Sequence, residues 1–178
     1  ASSAHDELTA GQVVNDTFTV TSQDGTGSGT VSITITGTND AATVSSESQS
    51  LTEANTAAAI STSGTLVISD ADTGEAHSVA QAASAGTYGT FAIDTNGAWT
   101  YTASSAHNEL TAGQVVNDTF TVLSQDGTGS GTVSITITGT NDLATVSSQS
   151  KALTETNVAA DISSSGTLTI VDADTGEA

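Results

Sequence analysis

The chain is 178 residues long, with twenty acidic residues, a single basic one, Lys151, and a formal charge of −19. That balance leaves nothing to neutralise phosphate, so it excludes nucleic acid as a partner and argues against direct binding to an anionic lipid surface. No cysteine is present, so disulfides, thiolate metal sites and thiol nucleophiles are excluded.

Sliding the chain by 102 positions pairs residues 1–76 with 103–178, and 64 of these 76 positions are identical. Similarity at that level signals tandem copies of one module of roughly 100 residues, the size of a small β-sandwich. The sequence divides into the back of one module (1–40), a complete module (41–142) and the front of a third (143–178). On this reading both ends cut through a module, so the sequence is a window on a longer protein. No signal peptide or membrane span is visible in it.

Within the complete copy, Ala42–Leu51 is a serine-rich first strand, ended by the turn Leu51-Thr52-Glu53-Ala54-Asn55. Gly64–Ser69 is a strand with Leu66 and Ile68 on one face, running into the acidic loop Asp70-Ala71-Asp72-Thr73-Gly74-Glu75. The small-residue stretch His77–Gly86 is a loop or irregular strand. Thr87–Ile93 directs Phe91 and Ile93 inward, and Asp94-Thr95-Asn96-Gly97 is a hairpin turn, because Asn-Gly tolerates left-handed backbone. Ala98–Thr102 returns with Trp99 and Tyr101 inward. Leu110 and Val115–Val116 flank a further bend. Asp118–Ser124 buries Phe120 and Val122, and the glycine-rich run through Gly131 turns the chain into Thr132–Asp142. There Val133, Ile135 and Ile137 alternate with polar residues at strand period before Gly139 breaks the pattern. Serine and threonine, about a third of the chain, suit the wet faces of such strands. Seven short strands with glycine-rich turns and no proline predict an all-β chain of antiparallel Greek-key sandwiches joined end to end.

Alternating strand directions then sort the acids. Asp70 and Asp72, at the end of the second strand, share one end of the module with Asp126, at the end of the sixth. The incoming linker brings Asn39 and Asp40 to the same end. At the other end Glu53 lies beside the outgoing Asn141 and Asp142, and the next module supplies Asp172 and Asp174. Glu109, Asp24 and Glu155 are subsidiary candidates. Oxygen donors in this number suit calcium, which takes six to eight oxygens in a tolerant geometry, better than magnesium or zinc.

The order Leu-Thr-Glu, Asp-Ala-Asp-Thr-Gly, Phe-Ala-Ile-Asp…Asn-Gly, Thr-Phe-Thr-Val-Leu-Ser-Gln-Asp-Gly and Val-Ser-Ile-Thr-Ile-Thr-Gly-Thr-Asn-Asp resembles a cadherin-like module. More closely it is similar to the VCBS repeats of giant RTX-type bacterial surface adhesins. The resemblance spans the whole chain and implies a cadherin/Ig-like sandwich. It also implies calcium ligands at Glu53, Asp70, Asp72, Asp126, Asn141 and Asp142, and type I secretion to the cell surface. Two features depart from the pattern. The proline after the linker is replaced by Ala41-Ala42 or Leu143-Ala144, and His107-Asn108-Glu109 stands where cadherins carry Asp-Arg-Glu.

The implied function is a calcium-rigidified extender of an adhesin, active in attachment and biofilm formation, with neighbouring repeats as its partners through calcium. A filament subunit held by lateral or end-to-end contacts, and a glycan-binding module, are the alternatives. No enzyme is expected. Asp72-Thr73-Gly74 and Asp174-Thr175-Gly176 spell an aspartic-protease triplet, but they sit at equivalent ends of successive modules, too far apart for a dyad. Asp70–Gly74 lacks the closing acid of a helix–loop–helix calcium loop, and Gly127–Gly131 lacks the lysine of a phosphate loop. His5 and His107 occupy equivalent surface turns without a partner histidine.

Overall fold

The structure, a computed structural model, describes residues 3–178. The alternation seen in the sequence becomes strands: β1 (Val13–Thr21) and β2 (Ser28–Thr36) form an antiparallel hairpin. The complete module contains β3 (Thr43–Val44), β4 (Glu47–Thr52), a 3-10 turn (Ala57–Ile60), β5 (Thr62–Thr65) and β6 (Ile68–Ser69). It continues with β7 (Gln81–Ala85), β8 (Gly89–Ile93), β9 (Ala98–Ala103), β10 (Val115–Leu123) and β11 (Ser130–Thr138). Beyond it lie β12 (Thr145–Val146), a second 3-10 turn (Ala159–Ile162) and β13 (Ile170–Val171).

Two main sheets, in the orders β10-β11-β4 and β5-β9-β8-β7, face each other, with the short pair β3-β6 beside them. Their inner faces supply the core: Phe91, Trp99, Tyr101, Val122, Val133, Ile135 and Ile137 are all buried, as are Ile60 and Leu66. Phe91 stacks on Phe120 across the sandwich with ring centres 4.8 Å apart, which ties the β8–β9 hairpin to the β10–β11 hairpin. Gly97, in the β8–β9 turn, adopts φ 82°, as the Asn-Gly signal requires.

One pairing departs from the antiparallel pattern. β4 runs parallel to β11, from Val133 opposite Glu47 to Thr138 opposite Thr52. The reason is topological, because the first and seventh of a set of alternating strands point the same way. The single strand expected over Gly64–Ser69 is also broken. Thr62–Thr65 pairs with β9, while Ile68–Ser69 crosses to pair with β3.

Where the sequence suggested loop or irregular strand at His77–Gly86, the chain serves both sheets in turn. The Val79 amide donates to the Leu123 carbonyl and the Gln125 amide to that of His77, after which β7 joins β8 through a register shift. His107 is not on a surface turn as expected but is 4% exposed. At φ 61° its ring folds back inside, with Nε2 2.8 Å from the Tyr88 carbonyl oxygen and Nδ1 2.9 Å from Glu109 Oε1.

Asp118, whose place in the inward alternation of β10 is shared with Phe120 and Val122, is buried. It accepts hydrogen bonds from the Thr87 amide (2.7 Å), the Tyr88 amide (2.9 Å) and the Tyr101 hydroxyl (2.9 Å). Burial, with Asp118 alongside, holds the Tyr101 hydroxyl well above the usual phenol range. This carboxylate locks the hairpin sheet onto β10.

Candidate metal centre

Where β6 ends, the loop Asp70–Glu75 is shaped by its own side chains. The Asp72 amide donates to Asp70 Oδ1 (2.9 Å), an Asx turn that the Asp-Ala-Asp spacing favours. Gly74 at φ 84° then reverses the chain so that Glu75 turns back towards the cluster. Asp72 is 2% exposed and accepts the Asp40 linker amide on Oδ2 at 2.9 Å. Its Oδ1, and Oδ2 of Asp70, are buried and have no hydrogen-bond partner.

The third contribution comes from the β10–β11 turn. Asp126 accepts bonds from Ser124 Oγ (2.6 Å), the Thr128 amide (3.2 Å), the Thr128 hydroxyl and Asn39 Nδ2 (3.2 Å). These bonds, the Ser124 hydroxyl first, hold its carboxyl well below the usual carboxylate range. Carboxylate oxygens of Asp70, Glu75 and Asp126 lie within 4.8 Å of one another. Burial, reinforced by Asp72, Asp70 and Asp126, pushes Glu75 up; burial with Asp72, Asp6 and Asp70 does the same to Asp40. A backbone bond closes the junction, the Thr73 amide donating to the Glu7 carbonyl at 3.1 Å.

The second junction repeats the first 102 residues later. The Asp142 amide donates to Asp174 Oδ2 (3.0 Å), the Asp174 amide to Asp172 Oδ1 (3.0 Å) and the Thr175 amide to the Glu109 carbonyl (3.2 Å). Asp174 is 2% exposed, and its Oδ1 together with Asp142 Oδ2 is buried without a partner. Glu53, also buried, receives the Thr140 amide on Oε2 at 2.9 Å, fixing the strand end that leads to Asn141. His107 beside Glu109 lowers that carboxyl below its ordinary value.

The structure therefore brings Asn39, Asp40, Asp70, Asp72 and Asp126 together at one junction. At the other, hydrogen bonds link Asp142, Asp172 and Asp174, and Asn141 bonds to the Asp142 carbonyl. The backbone carbonyl of Glu109 and the Glu53 carboxylate hold the neighbouring chain there. Among the described residues, three carboxylates come within reach of one ion only at the first junction. Two candidates fall outside. Asp24, the repeat image of Asp126, sits in the β1–β2 turn on Ser22 and Thr26, whose bonds lower its carboxyl to about 2. Glu155, the image of Glu53, is exposed. Glu75 was not distinguished by the sequence pattern; its only signal is its place directly after Gly74, the left-handed residue that reverses the loop.

These groups suit a hard divalent cation. All the candidate donors are oxygens, several are carboxylates, and a buried carboxylate oxygen without a partner is costly unless a charge compensates it. Asn39 Nδ2 donates to the Asp40 carbonyl oxygen (2.5 Å), which holds the linker in a fixed turn at the same place.

A family model described as "Bacterial cadherin-like domain" matches residues 39–139. Among solved structures, a protocadherin gammaB7 EC3-6 cis-dimer aligns with 17% sequence identity and a TM-score of 0.41, covering 92% of this chain. The chain spans 43% of the length of that protein. No curated protein matches.

Proposed function

The chain belongs to the bacterial cadherin-like domain family, and from that membership we propose that it is a calcium-rigidified extender of a long bacterial surface adhesin. The observation that carries this reading is the pair Asp72 and Asp174. Each is 2% exposed, binds the next linker amide with one oxygen and keeps the other buried and unpartnered. The same arrangement at both junctions points to a device of the repeat.

Asn39, Asp40, Asp70, Asp72, Glu75 and Asp126 would hold calcium at the first junction. Glu53, Glu109, Asn141, Asp142, Asp172 and Asp174 would do so at the second. The ion supplies charge compensation. The chain's own groups supply the direction, since the Asp40 and Thr73 amides already fasten the linker and the loop across the junction. Without a cation the carboxylates repel one another and the linker bends; with one, successive modules stiffen into a rod that projects a tip for attachment and biofilm formation. Export by type I secretion fits a cell-surface site. No helix among the described residues is long and apolar enough to cross a membrane. Trp99 and Tyr101 are both 1% exposed, so neither offers a platform for a glycan.

Calcium binding is tested by calorimetry and thermal melting. For a site with a dissociation constant of about 0.1 mM, ~1 mM calcium adds roughly 1.4 kcal/mol of stability. An absence of binding heat together with an unchanged melting temperature would sink the reading.

A further inference from the structure

We propose that the residue ahead of the junction glutamate, Asp6 at the first junction and Asn108 at the second, is a further calcium ligand whose identity tunes the affinity of its junction. This assignment rests on the calcium-binding function proposed above. Aspartate and asparagine share one position in the two repeats. Both offer a side-chain oxygen at the same reach, and they differ by one charge.

The glutamate beside this position is already engaged. Glu109 Oε1 lies 2.9 Å from His107 Nδ1, and Glu7 Oε1 lies 2.9 Å from His5 Nδ1. Both histidines adopt a left-handed backbone, φ 64° at His5 and 61° at His107, which is uncommon away from glycine. The turn they make lets the glutamate carbonyl face the next module, where it accepts the Thr73 amide (3.1 Å) or the Thr175 amide (3.2 Å). Asn108 adjoins that bond and lies in the complete module, with its own sandwich around it. Its Oδ1 is buried and has no hydrogen-bond partner among the described residues. Two more oxygens of that kind belong to the same junction, Asp142 Oδ2 and Asp174 Oδ1, the latter on a side chain 2% exposed. Buried oxygens without donors are costly, and a hard cation compensates an amide oxygen and a carboxylate alike.

The first junction places Asp6 in the same company. Asp40 is pushed up by burial first and then by Asp72, Asp6 and Asp70, so Asp6 stands within the field of the acids that gather there. An aspartate carries oxygen on both branches of its head group. The orientation of Asn108 with its oxygen inward is therefore the one that the two repeats have in common. Calcium sites are tuned by how many of their ligands are charged. Asp6 adds a carboxylate where Asn108 adds a neutral carbonyl, so one base change in a repeat would reset one junction without disturbing the fold.

Calcium titration of the full chain, followed by its amide resonances, reads the junctions separately. The Asp40 and Thr73 amides report on the first, and the Asp142 and Thr175 amides on the second. In about 0.15 M salt, which screens distant charges, Asp6→Asn should weaken calcium at the first junction about tenfold and leave the second unchanged. Asn108→Asp should tighten the second about tenfold, and Asn108→Ala should weaken it by a similar factor. Glu7→Gln removes the same charge one residue further on, from a carboxylate held by His5, and should change the first junction by less than about twofold. Calcium binding that Asp6→Asn and Asn108→Asp leave unmoved would overturn the assignment and leave the calcium-binding function standing. So would a Glu7→Gln effect as large as that of Asp6→Asn, which would mark a general charge effect. No calcium-dependent shift at either junction of the unaltered chain would overturn both.

Discussion

Asp72 holds the Asp40 amide with one oxygen and leaves the other buried without a partner, so in the absence of calcium its charge is a liability. Asp72→Asn removes that charge with little change of shape. It should raise calcium-free stability by about 1–2 kcal/mol and cancel the calcium-dependent rise in melting temperature at the first junction. Asp174→Asn should do the same at the second and leave the first untouched, which calorimetric stoichiometry would show. The pH dependence has a defined sign. Asp40 and Glu75 are raised above their ordinary values of 3.8 and 4.5, so they bind protons more tightly folded than unfolded. Their stabilising contribution is full below those values and is lost as pH rises through the raised pKa. Asp126 is lowered, so its contribution is present above 3.8 and is lost as pH falls towards its folded pKa. Calcium-free protein should therefore be most stable near about pH 4 and weaken towards neutrality, whereas calcium reverses the trend because ligands bind it deprotonated. Melting at both pH values, with and without calcium, checks this; parallel trends would contradict it.

At the scale of elements, two hairpins of nearly one sequence stand in different surroundings. Phe120 is 7% exposed against Phe91 and Tyr101, while Phe18 is 52% exposed. Phe120→Ala should cost about 3–5 kcal/mol in denaturant unfolding. Asp118→Ala should cost about 2–4 kcal/mol, because it strands two amides and a hydroxyl inside. The inward set Phe91, Trp99, Tyr101, Phe120, Val122 and Ile135 was legible from alternation alone, since only one face of each strand is buried. What alternation does not carry is where a strand changes sheets. The break in Gly64–Ser69 depends on Leu66 donating its amide to the Gly97 carbonyl while Ser45 and Val67 pair on the other side. The buried His107 was hidden for a similar reason. A polar ring enters the interior because Glu109, two residues on, meets one nitrogen and the Tyr88 carbonyl, distant in sequence, meets the other; the second partner carries no signal in the pattern. The candidate site was more legible, because acids placed at strand ends meet wherever strand directions alternate. Glu75 escaped because its position depends on the left-handed turn at Gly74.

Over the whole molecule, the proposed function has the repeat turn a local cluster into a mechanical property. Each junction is held by one linker amide on a buried aspartate and one backbone bond from the Asp-Ala-Asp-Thr-Gly loop, to Glu7 or to Glu109. These few bonds set a direction but do not offset the carboxylates gathered around them, and at a formal charge of −19 the chain repels itself. On the proposed function, a divalent cation bound at each junction would change that balance, so stiffness is expected to rise with calcium. Small-angle scattering of the chain measures this most directly. With about 1 mM calcium, well above the affinity expected of such sites, the maximum dimension should lengthen and its distribution narrow, and a chelator should reverse both. Identical scattering in calcium and in chelator would contradict the account.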